Sequence, residues 1–178
     1  TTLVLATEHK ATEELITAAG LPATFLRNGW YTENHRPDFA AAQEHGIIAN
    51  SVGAGRIATA PRRDYAEAAA VVLTTPGHRG QPHEATAYEL SGDTAWDYTE
   101  FAATAAEVLG RPVEYQPLTV EQERDQLIAA GLDEQTVGFI TLLNTNMADG
   151  ALAHTSGDLS RLIGHPTEPL DVTLRSWA

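Results

Sequence analysis

Residues 26–34, LRNGWYTEN, bring two asparagines, a glycine, a tryptophan and a tyrosine into nine consecutive positions directly after Phe25. Amide and backbone N–H groups can hold a polar ligand by hydrogen bonds, and aromatic faces can pack on a flat one. A chain that leaves a short apolar run and at once presents both kinds of group has the makings of a ligand-facing loop. Without a ligand, the same letters read as a turn at Asn28-Gly29 followed by core aromatics.

Other reactive residues are sparse. There is no cysteine, which removes disulfides, thiolate zinc sites and a cysteine nucleophile. Seven histidines raise the question of a metal, and HRGQPHEA puts His78, His83 and Glu84 in one stretch. Their spacing matches no zinc signature, so a solvated polar loop and no metal are expected. Neither a G-x-S-x-G elbow nor an H-E-x-x-H helix occurs. GAGRIA (53–58) spells a dinucleotide fingerprint in letters, but an alternating run and Pro61 separate it from the next helix. The fingerprint needs that helix at its second glycine, so a hairpin-type turn is expected instead.

The elements that must position the LRNGWYTEN stretch follow from periodicity and punctuation. EHKATEELITAA (8–19) is helical, with Thr7 as its cap and Gly20 as its stop, and ATFLR reads as a buried strand. The loop thus lies at a strand's carboxyl end, where open α/β sheets bind ligands. RPDFAAAQEHG gives a helix, GIIAN and RIATA give strands, and RRDYAEAAAVVLTTPG gives a helix whose first turn carries Asp64 and Glu67. Residues 78–86 are a polar loop, AYELSG a strand, TAWDYTEFAATAAEVLG an amphipathic helix and PVEYQPLT a strand. VEQERDQLIAAG is a helix, 133–153 form one helix or two, and SGDLSRLIGHP forms a short one. The fold class is mixed α/β, with helices concentrated in the second half.

With 178 residues, 43% of them hydrophobic, the chain suits one globular domain or part of a larger one, and no run approaches the roughly 18 apolar residues of a membrane span. A formal charge of −13 repels nucleic acid and anionic lipid, so neither is expected as a partner. The opening TTLVLATEHK has no signal-peptide character, which points to the cytoplasm. It has no initiator methionine and reads as the middle of a loop, so a piece of a longer protein is expected.

The stretches EHKATEELITAAGLPATFLRNGWYTEN, GRIATAPRRDYAEAAAVVL, YELSGDTAWDYTEFA and LSRLIGHPTEPL together resemble the NmrA-like atypical short-chain dehydrogenases, within them the bacterial type 2 NAD(P)H:quinone oxidoreductase subgroup. The resemblance runs end to end. It implies the C-terminal part of a Rossmann-like NAD(P)-binding fold, in which residues 1–87 belong to the Rossmann side and 88–178 to a smaller, mostly helical lobe over the substrate. The first strands and the glycine-rich phosphate loop of the family precede this point.

By position, Gly29, Trp30, Tyr31, Thr32, Glu33 and Asn34 are implied to line the nicotinamide half of a cofactor, NADPH or alternatively NADH. Relatives often carry a cofactor-contacting lysine where this chain has His9. The family's usual Tyr-x-x-x-Lys pair is missing. His9 then either touches the nicotinamide ribose or protonates the acceptor, or it is an exposed helix residue. The implied partner is a quinone or related acceptor, with a homodimer or an N-terminal fragment as the macromolecular possibilities. A non-catalytic NAD(P)-sensing regulator is the alternative function.

Overall fold

A computed structural model describes residues 6–81 and 84–178. In chain order its elements are α1 (Ala6–Ala18), β1 (Thr24–Asn28), β2 (Trp30–Tyr31), a 3-10 turn (Thr32–His35), α2 (Arg36–His45), β3 (Ile47–Asn50) and β4 (Ile57–Ala60). They continue with α3 (Arg62–Thr74), β5 (Thr86–Leu90), β6 (Ala95–Trp96), α4 (Tyr98–Leu109), β7 (Glu114–Pro117), α5 (Val120–Ala129), α6 (Glu134–Ala148), α7 (Asp158–Ile163) and α8 (Leu170–Arg175). The class is α/β, as expected.

The strands form three small groups. β1 pairs in parallel with β5, β3 in parallel with β7, and β4 lies between β2, which is parallel to it, and β6, which is antiparallel. Between β1 and β2 the backbone N–H of Gly29 donates to the Leu90 carbonyl at 2.7 Å, and a Cβ on Gly29 would stand 2.8 Å from that oxygen. Only glycine lets the two chains approach so closely there. Two clusters make the core. The larger packs Phe39, Ile48, Ile57, Trp96 and Phe101 among α2, α4 and the strands, and the smaller gathers Ala60, Tyr65, Leu90 and Leu159 between α3 and α7.

Several sequence expectations change at their edges. Thr7 lies inside α1 instead of capping it. The turn after β3 is not a hairpin, because β3 and β4 pair with different strands. It is also no phosphate loop, since β4 rather than a helix follows. The helix placed over 94–110 begins at Tyr98: Ala95 and Trp96 are drawn into β6, and Asp97 closes a capping box with Glu100. The region 133–153 holds one helix, capped by the Asp133 carboxylate on Thr136 N. Helix α8 had no sequence signal strong enough to place it.

Candidate functional site

Residues 32–34 follow the carboxyl end of β2, and Pro61-Arg62 follow that of its parallel neighbour β4. The two segments meet. Pro61 at the cap of α3 offers no side-chain acceptor, and both carboxylate oxygens of Glu33 take its place, accepting from Arg62 N at 3.0 and 3.1 Å. The helix start thereby gains the acceptor and the negative charge that favour it. The Arg62 guanidinium lies 4.4 Å from the centre of the Tyr31 ring and donates to Asn34 Oδ1 at 3.4 Å. The edge of Tyr31 meets Tyr65 at a centroid distance of 5.1 Å, and its hydroxyl accepts from Asn28 Nδ2 at 3.1 Å. Tyr65 is buried, which with the nearby Tyr31 and Asp64 raises its phenol pKa well above the ordinary value.

The alternate residues of the segment point inward. Thr32 is buried and donates to Thr59 Oγ1 at 3.1 Å, and the same oxygen accepts from the indole of Trp96 at 3.0 Å. Trp30 packs half-buried on the larger core cluster, with its Nε1 unpartnered. His35, which sequence reasoning passed over, is buried. Its Nδ1 stands 3.1 Å from both Asp38 Oδ2 and the Tyr98 hydroxyl, and Tyr98 donates to the same carboxylate oxygen at 3.0 Å. Two donors converging on one carboxylate put the imidazole proton on Nδ1, and Nε2 is left buried without a partner. Burial first and the adjacent Asp38 second hold the Tyr98 phenol pKa well above its usual value.

Of the residues taken from the sequence, Tyr31, Glu33 and Asn34 therefore converge on the first residue of α3, while Gly29, Trp30 and Thr32 serve packing as well as position. His9 sits on the exposed helix α1, and among the described residues no hydrogen bond or ring contact ties it to residues 29–34. His78 bonds the Tyr88 hydroxyl at 2.8 Å, and His83 lies outside the described residues. Among the described residues no group of three or more acidic or histidine side chains is arranged to hold a metal. No described helix is long and apolar enough to cross a membrane.

Beside Thr59 and Trp96 a cleft of about 360 Å³ opens between β6, α4 and residues 166–170. Its carboxylates are engaged: Asp93 with Thr167 N, Glu100 with Arg56, and Glu168 with Arg63. At the strands' carboxyl ends the Asn34 amide, which among the described residues uses only its oxygen, joins Tyr31 on a polar rim.

The α/β fold matches that of solved NADPH-dependent reductases. The chain superposes on Escherichia coli NADPH-dependent quinone oxidoreductase 2 crystallised with NADPH, with a TM-score of 0.90 and 39% identity over 98% of this chain and 60% of that one. It superposes on Citrobacter sp. triphenylmethane reductase complexed with NADP(H), with a TM-score of 0.89 and 32% identity over 99% of this chain and 60% of that one. In sequence it is homologous to E. coli quinone oxidoreductase 2, 40% identical over 168 residues, or 94% of this chain and 57% of the relative. No family model matches. The chain thus spans less than two thirds of the relatives it matches.

Proposed function

We propose that the protein of which this chain forms part transfers hydride from NADPH to a quinone. The carrying observation is the 40% identity, over nearly the whole chain, to a protein named quinone oxidoreductase 2. Triphenylmethane reductase, also crystallised with NADP(H), supports the cofactor. Residues 29–34 line the nicotinamide side in this reading, Asn34 with its free amide N–H donors and Tyr31 as the aromatic wall. Residues 88–178 cover the acceptor and set its size. The dihydronicotinamide supplies the reducing chemistry when bound. The chain's residues position the ring against the acceptor, and the usual tyrosine acid is dispensable because a hydroquinone oxygen can take its proton from solvent. In this reading His9, exposed on α1, either touches the nicotinamide ribose or protonates the acceptor.

The test is oxidation of NADPH by the full-length protein with a panel of quinones, followed as loss of dihydronicotinamide absorbance. Turnover with menadione, and weaker NADPH binding in Asn34→Ala measured by calorimetry, are the expected results. Tight NADPH binding without turnover of any quinone would move the reading to a cofactor-sensing regulator.

A further inference from the structure

Arg62, like Arg36, lies over an aromatic ring and not against a carboxylate. In a chain with 24 acidic residues and a charge of −13, Arg27 pairs with Glu13 and Glu89, Arg56 with Asp97 and Glu100, and Arg63 with Asp64 and Glu168. Arg62 forms no ion pair with a described residue. Glu33 turns both oxygens onto the Arg62 backbone N–H and so serves the helix start. The guanidinium lies on the Tyr31 face with one long contact to Asn34. A guanidinium held over a ring, with one N–H on Asn34, keeps further N–H donors for a carboxylate, a sulfonate or a carbonyl oxygen.

We infer that Arg62 binds the oxygen of the acceptor on which negative charge develops, and that it selects quinones and other aromatic acceptors bearing anionic oxygens. The inference rests on the proposed reductase reading. A quinone that accepts hydride gains one hydrogen and two electrons and becomes a hydroquinone monoanion, while NADPH becomes NADP+. The guanidinium stabilises that oxyanion by charge-assisted hydrogen bonds. Water then supplies the proton that completes the hydroquinone. Swinging off Tyr31 would let the fork meet the ligand and free the ring face that it now covers.

The experiment uses the full-length protein with Arg62 intact, Arg62→Gln and Arg62→Lys. Anthraquinone sulfonate, titrated by calorimetry without NADPH, should bind at least about tenfold more weakly to Arg62→Gln, the size of one charge-assisted hydrogen bond, with Arg62→Lys between. In turnover, Arg62→Gln should lower kcat for the neutral quinone menadione by about 10- to 100-fold with little change in KM, because the lost contact acts on developing charge. Both variants keep the backbone N–H that Glu33 accepts, so matched thermal melts are expected. Sulfonate affinity unchanged in Arg62→Gln would overturn the assignment. An Arg62-dependent sulfonate affinity in a protein that reduces no quinone would keep the anion site and sink the reductase reading alone.

Discussion

Thr59→Val isolates the polar clamp beneath the candidate site. Valine has nearly the shape of threonine and suits β4, so the exchange opens no cavity. What changes is the acceptor that Thr32 and the Trp96 indole share, at 3.1 and 3.0 Å. Thr32 is 2% exposed and Trp96 5%, so neither donor can turn to solvent. An orphaned buried donor costs about 1–3 kcal/mol, and since a hydroxyl can rotate more readily than an indole can move, the total should be about 2–4 kcal/mol. At about 2–4 °C per kcal/mol for a chain of this size, Tm falls by roughly 5–15 °C. Near-UV circular dichroism on heating and urea titration with unchanged slope would measure it. Thr32→Val removes donor and contact together and should cost less. The double variant should fall short of the sum, because it no longer strands the Thr32 hydroxyl. A Thr59→Val protein within about 0.5 kcal/mol of the parent, or strict additivity, would refute the clamp.

Gly29→Ala should lower the urea midpoint whether or not NADPH is present, since its Cβ would press to 2.8 Å of the Leu90 carbonyl. A variant of parental stability would show that β1 and β5 can separate there without loss. Stability should also fall on the alkaline side. Tyr65 and Tyr98 both have folded-state pKa values raised by burial, so their contribution is fully present below about pH 10, where the unfolded phenols ionise, and is lost as pH rises toward the folded values. Tyr65→Phe and Tyr98→Phe should flatten that limb in melts across pH 8 to 11, and an unchanged limb in the double variant would contradict the assignment.

Much of the fold was legible because its signals are local. Gly46 and Gly110 end α2 and α4 in the left-handed conformation at φ 71° and 64°, where glycine has no Cβ to clash, and apolar periodicity located most of the helices between such stops. Pairing was not legible. The turn of Gly53 looks like a hairpin because adjacent strands usually pair, yet β3 found its partner in β7, more than sixty residues on. Trp96 read as helix because it precedes an amphipathic run. Its indole bond to Thr59 and the ladder to Ile57 hold it in β6 instead, a tertiary preference that outweighs propensity.

The site divides along the same line between local and distant causes. His35 follows a cluster of polar residues and precedes Arg36-Pro37, so it reads as a helix flank. The tyrosine that makes it a buried dyad is 63 residues away. Arg62 likewise carries no signal of its own, since a basic residue at a helix start is ordinarily unfavourable and ordinarily exposed. Its position gains meaning only once parallel pairing sets the end of β4 beside the end of β2. There Glu33 offsets the charge at the helix start, Tyr31 supports the guanidinium and Asn34 meets its edge. The three outward side chains of the aromatic and amide motif thus converge on a residue 28 positions further on, and the inward ones hold the turn rigid against Thr59. A cation held at a polar rim beside aromatic and amide groups is placed to meet an anionic oxygen, whether the acceptor already carries it or gains it on reduction.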